Sequence, residues 1–120
     1  MYDIFFYRDR KGKAPVLEYI KALDSRKDKD SRVKVNKIYV YIDLLRKAGT
    51  SLGEPYLKHL DGEIWELRPI KDRILFAAWD GTSFIILHHF MKKTQKTPQR
   101  EIEQAKRNLA EYRERKDENE

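Results

Sequence analysis

RILFAAWDGTSFIILHHF, residues 73–90, consists of two apolar runs joined by Asp80-Gly81. An Asp-Gly pair between such runs is a strong signal for a tight β-hairpin. The stretch therefore reads as two antiparallel strands, 73–79 and 82–90. The second is apolar on both faces, so it belongs inside a sheet with helices over at least one side.

The neighbouring segments extend this hairpin. EIWELR (63–68) alternates, with Ile64, Glu66 and Arg68 on one face and Trp65 and Leu67 on the other. PIKD turns it back into the strand at Arg73, so three strands form an antiparallel meander. Downstream, Thr97 caps a helix with Pro98 in its first position, and Ile102, Ala105, Leu109 and Tyr112 form the apolar stripe. The charged tail, about 114–120, is expected to fray.

Upstream, YDIFFY (2–7) is apolar on both faces apart from Asp3, which predicts a strand covered on both sides. Pro15 opens a helix carrying Val16, Ile20 and Leu23. After a polar link, Asp30 or Ser31 caps a second helix with Val35, Ile38, Ile42 and Leu45 at helical spacing, ended by Gly49. GEPYLKHLDGE (53–63) is assigned to a loop. The order is β-α-α-β-β-β-α, an α+β domain over residues 1–120. It has an antiparallel sheet, an N-terminal helical hairpin and a C-terminal helix.

Composition bounds the function. The 26 Lys and Arg against 20 Asp and Glu leave a net charge of +6, which favours a polyanionic partner. The absence of cysteine excludes disulfides and thiolate metal sites and points to a reducing cytoplasm. No apolar run approaches the ~18–20 residues of a membrane span. The N-terminal apolar run is too short for a signal peptide and precedes its charges. The three histidines, at 59, 88 and 89, lack metal-ligand spacing, and no Gly-rich phosphate loop occurs. No cofactor is implied.

The meander carries its cations to one end. Arg68 and Arg73 flank a single turn, and the strand antiparallel to Arg73's ends beside it. Phe90, Lys92, Lys93, Thr94 and Lys96 emerge there, followed by a helix N-terminus. Such a cluster suits phosphate, bound by Arg as a fork and by Lys as a point charge. The competing reading is a solvated lysine loop, with the arginines paired to Glu66 or Asp72. His88 and His89 point to opposite faces, where strand histidines are usually packed and hydrogen-bonded.

The words YLKHLDGEIWELRPIKDRILFAAW and FIILHHFMKKTQKTPQREIEQAKRNLAEY, with the β-α-α opening, resemble the RelE/HigB toxins of bacterial type II toxin–antitoxin modules, in their phage-derived HigB-like branch. The resemblance implies a RelE-like fold and a ribosome-dependent endoribonuclease that cuts mRNA without a metal. Its functional positions fall on Arg68, Arg73, Lys92 and Lys93, with Glu66 also in the catalytic set. Lys58, Phe90, Thr94 and Lys96 then become candidate RNA contacts. A neutral lysine or Glu66 is the candidate proton acceptor. The late acid or base of some relatives has no clear counterpart here, because the only late tyrosine, Tyr112, lies on an apolar stripe. The implied partners are mRNA, the ribosome and a cognate antitoxin, with operator DNA reached only through that antitoxin. Two alternatives remain open: a ParE-type toxin that binds gyrase, and a nucleic-acid-binding module that does not cut.

Overall fold

The structure is a computed structural model, and it describes residues 1–118. Four antiparallel strands follow one another as a meander: β2 (Leu57–Asp61), β3 (Ile64–Leu67), β4 (Asp72–Asp80) and β5 (Ser83–Met91). The N-terminal strand β1 (Asp3–Phe6) joins parallel to β5, so the sheet runs β1-β5-β4-β3-β2. Helices α1 (Pro15–Asp24) and α2 (Lys29–Ala48) cover one face, and α3 (Gln99–Glu118) covers the other. This is the α+β class and RelE-like architecture expected, with one strand more. The added strand is β2, inside the segment assigned to a loop. Only Leu57 of β2 is buried, so its apolar alternation is too weak to mark it as a strand.

The hairpin at Asp80-Gly81 forms as its sequence demands, and β5 lies between two strands. On one face Val16, Ile20, Val35, Ile38 and Leu45 pack on Leu67, Ile74, Phe76 and Ile86. On the other, Ala105 and Leu109 pack on Ile64, Leu75, Ile85 and Leu87. Each buried aliphatic or aromatic side chain contributes ~1.5–3 kcal/mol. The register between β4 and β5 shifts between Leu75 and Phe76, leaving Leu87 as an extra residue in β5. Leu87 and His88 consequently both address α3, while His89 turns to the α1–α2 side.

Three local details differ from the sequence-based expectation. The cap of α2 is Asp28, whose carboxylate accepts from Ser31 N–H at 3.0 Å; neither Asp30 nor Ser31 caps it. The Thr97 hydroxyl does not cap α3 and donates instead to Glu66 Oε2. Strand β1 is an edge strand whose Phe5 is 43 % exposed, not a strand covered on both sides. Helix α3 continues through Glu118, and residues 119 and 120, the end of the tail expected to fray, lie outside the described residues.

Candidate nucleic-acid interface

The antiparallel register sets Arg73 opposite Phe90. Lys92 N–H donates to Lys71 C=O at 2.8 Å, which carries the pairing one step past the strand and brings the 92–97 loop over the sheet end. Arg73, Phe90, Lys92, Lys93, Thr94 and Lys96 share the wall of one hollow of about 450 Å³. Arg100 and Glu101, from the first turn of α3, complete it. On the far side of the same loop lies a smaller hollow of about 160 Å³, lined by Lys58, Arg68, Lys96 and Thr97. The residues singled out in the sequence thus fall into two adjoining groups. Arg73 belongs to the first and Arg68 to the second. Gln95, Lys96 and Thr97 are common to both.

Glu66 lines neither hollow. It is fully buried, and both of its oxygens are engaged. Arg68 Nε donates to Oε1 at 2.9 Å, and the Thr97 hydroxyl donates to Oε2 at 2.5 Å. Arg73 Nε stands 3.9 Å from Oε1. One carboxylate therefore ties the two arginines to the loop that carries the lysines. The rim salt bridge weighed as the competing reading for the arginines is present, and it sits inside the cluster.

Arg73 is 8 % exposed, and its Nη1 donates to the carbonyls of Ile70 and Asp72 at 2.9 Å each. These bonds brace the β3–β4 turn, where Ile70 takes a φ of 58°. Burial draws the Arg73 pKa below the ordinary guanidinium value, against the pull of Glu66. The group nonetheless stays charged at any physiological pH. None of its bonds occupies Nη2, and the residue still lines the larger hollow. The amines of Lys58, Lys93 and Lys96 have no carboxylate partner among the described residues, while Lys92 Nζ reaches Gln95 Oε1 at 3.4 Å. The cations on the loop are consequently available to an anion in the hollow.

A family model for the phage derived protein Gp49-like family (DUF891) matches residues 18–110. The chain belongs to the Gp49-like family. That family is associated with the toxins of toxin–antitoxin modules. No curated protein matches the chain. The matched segment of this Gp49-like chain includes all the site residues named above, so both hollows lie within it.

Two clusters went unassigned in the sequence. His88 Nε2 lies 2.8 Å from Glu101 Oε1, so the imidazole stands behind a carboxylate that lines the larger hollow. The spacing from His88 to Glu101 crosses a strand end, a loop and a helix start, so no local pattern marks the pair. On the opposite face of the sheet, buried Asp72 accepts from the Tyr19 hydroxyl at 2.6 Å and meets His89 Nε2 at 2.8 Å. The rings of Tyr19 and His89 stack at 3.8 Å. Burial opposes the charge of Asp72, but the His89 and Tyr19 hydrogen bonds outweigh it and hold its pKa below the usual carboxylate value. This second cluster clamps α1 to the residue preceding Arg73. Among the described residues no group of three or more His, Cys, Asp or Glu is placed to hold a metal ion, and no helix is long and apolar enough to cross a membrane.

Proposed function

We propose that this Gp49-like protein is the toxin of a type II toxin–antitoxin module of the RelE/HigB kind, a ribosome-dependent endoribonuclease that cleaves mRNA. The observation that carries the proposal is the convergence of Arg73, Lys92, Lys93, Lys96 and Arg100 on one hollow beside Phe90. A phosphodiester seated there meets fixed positive charge, and a neighbouring base has the Phe90 ring to stack on. The smaller hollow, with Lys58 and Arg68, takes an adjacent part of the same strand.

Cleavage proceeds by attack of the ribose 2′-oxygen on the adjacent phosphorus. The 2′-O–P bond forms as the P–5′-O bond breaks, leaving a 2′,3′-cyclic phosphate and a 5′-hydroxyl. The crowded transition state carries extra negative charge. A preorganised cationic donor such as Arg73 is worth ~3–4 kcal/mol, or about 10²–10³ in rate. The 2′ proton needs an acceptor at the hollow. Glu66 is enclosed, with both oxygens engaged. Glu101 lines the hollow and is oriented by His88, so Glu101 takes the acceptor role in this scheme. A lysine ammonium from the loop returns a proton to the departing 5′ oxygen. Glu66 then acts by positioning Arg68 and Thr97.

Alignment of a flexible RNA is the part that two small adjoining hollows supply least, so in this scheme the ribosome provides it. A cognate antitoxin completes the module. The test is to incubate the protein with translating ribosomes and a defined message. Cleavage is expected, with at least about a hundredfold loss for Arg73→Ala and for Glu101→Gln. Binding is expected to fall steeply with salt. Intact message together with inhibition of gyrase supercoiling would instead identify a ParE-type toxin. Intact message with tight RNA binding would identify a module that does not cut.

A further inference from the structure

The edge formed by β1 has features that the basic hollows do not explain. Asp3 N–H donates to Thr82 C=O at 2.9 Å and Tyr7 N–H to Ile86 C=O at 2.8 Å, so the odd-numbered residues face β5. Alternation along a strand turns the amide and carbonyl of Ile4 and Phe6 the other way. Among the described residues no strand lies on that side; Tyr2 N–H, just before β1, donates to Arg46 C=O of α2 at 2.8 Å. The opposite edge of the sheet is handled differently. Strand β2 carries exposed Lys58, His59 and Asp61 and a register shift, both of which discourage added strands. Strand β1 has neither safeguard beyond Asp3, and it presents Phe5, 43 % exposed.

Two hollows of about 390 and 610 Å³ meet along this edge, both lined by Ile4, Phe6 and Leu17. The first adds Phe5 and Tyr112 on the α3 side of the sheet, and the second adds Ile20, Tyr39 and Ile42 on the α1–α2 side. A strand laid along β1 points its side chains alternately to these two sides, so each hollow receives every second residue. Charge selects the occupant. The first hollow is lined by Arg8, Arg115 and Lys116 and by no carboxylate; Arg115 is paired with Glu111, so Arg8 and Lys116 carry the charge offered to an occupant. In the second, Lys21 and Arg46 balance Asp24 and Asp43. A second copy of this chain, itself at +6, brings the same cations to the same edge and is repelled.

We propose that the free edge of β1 docks an extended segment of a partner protein, apolar at alternate positions and acidic between them, which adds to the sheet as a sixth strand. The edge pairs with Ser83–Ile86, the half of β5 remote from Phe90, so the proposal does not rest on the nuclease reading and neither result decides the other.

The experiment uses the full chain, isotope-labelled, and a blocked ten-residue peptide alternating leucine with glutamate. In the free protein the Ile4 and Phe6 amides should exchange freely while that of Tyr7 is protected. Saturating peptide should slow Ile4 and Phe6 exchange at least about tenfold, with weaker binding at higher salt. Phe5→Ser should weaken the peptide about tenfold, the worth of re-exposing part of one large apolar side chain. Unchanged amide protection of Ile85 and Leu87 would show that this variant is folded. The proposal is overturned if the peptide does not bind at millimolar concentration or protects other amides instead. Equal binding by a serine–glutamate peptide would overturn it, since charge alone would then suffice. Protection of Ile4 and Phe6 that rises with protein concentration alone would overturn it in favour of a second copy.

Discussion

Replacing Glu66 with glutamine keeps the shape of the side chain and removes its charge, so it isolates what that charge does at the centre of the basic cluster. Glutamine can still accept from Arg68 Nε through its carbonyl and donate to the Thr97 hydroxyl, which is free to rotate. Both hydrogen bonds survive; the one from Arg68 keeps its charged donor, and only the one with Thr97 becomes neutral on both sides. A bond to a charged group is worth a net ~1.5–3 kcal/mol against ~0.5–1.5 for a neutral one, so the Thr97 bond loses about 1 kcal/mol. Arg68 and Arg73, with side chains 23 % and 10 % exposed, also lose their shared counter-charge. A partly solvated pair of cations adds about 1 kcal/mol to the loss. The expected total is about 2 kcal/mol, a fall of roughly 1 M in the urea midpoint at unchanged slope. Glu66→Ala should cost more, about 4–5 kcal/mol, because it also leaves a cavity and unpaired buried groups. An unchanged or higher midpoint for Glu66→Gln would refute the reasoning, since it would mean that burying the carboxylate costs more than its partners return. Turnover gives a second readout. A positioning role predicts weaker RNA binding alongside the stability loss, whereas a catalytic base would lose turnover with stability intact.

Two further outcomes test the physical account of the fold. Burial, and then the Glu111 carboxylate that accepts its hydrogen bond at 2.8 Å, pushes the Tyr7 pKa up to about 12; burial likewise raises those of Tyr19 and Tyr39. Each group is raised on folding, so its contribution is complete below the unfolded phenol value of ~10 and is lost as pH rises through the folded values. The urea midpoint should therefore fall between about pH 10 and 12. Tyr7→Phe should flatten that fall and remove part of the late tyrosinate absorbance; an identical alkaline slope would contradict the assignment. Gly49 ends α2 at a φ of 64°, and a Cβ placed there would lie 2.8 Å from a ring carbon of Tyr2. Gly49→Ala should cost at least about 2 kcal/mol, because left-handed strain of ~1–2 kcal/mol is joined by that clash. Gly62→Ala, at a φ of 56° with nothing within 4 Å, should cost only the strain. Equal thermal shifts for the two variants would remove Tyr2 from the explanation.

Much of the α+β plan is legible because the signals are local. Asp80-Gly81 announces its hairpin, Pro15 its helix start and Gly49 its helix end, each through backbone chemistry confined to a few residues. The apolar spacing of Val35, Ile38, Ile42 and Leu45 needs no knowledge of what those residues touch. Strand β2 escapes notice because an edge strand buries little and alternates weakly. The cap of α2 is displaced to Asp28 because several polar residues in DSRKDKDS compete for the role, and only the chain's path selects among them. At the candidate site, the sequence brings Arg73 and the 92–96 cations to one sheet end. It does not separate Arg68 into a second hollow, bury Glu66, or add Arg100 and Glu101.

Sequence alone determined most of this chain's turns, its helices and every strand except β2, and that its positive charge gathers after β5. Those properties follow from neighbours within a turn or two. Tertiary structure decided that Thr97 gives its hydroxyl to Glu66, 31 residues away, instead of capping α3. It decided that His88 meets Glu101, and that β1 joins the sheet with one side unpaired. Contacts of that kind depend on how whole layers pack, and only packing determines which charges are removed from water and which are left to meet a partner.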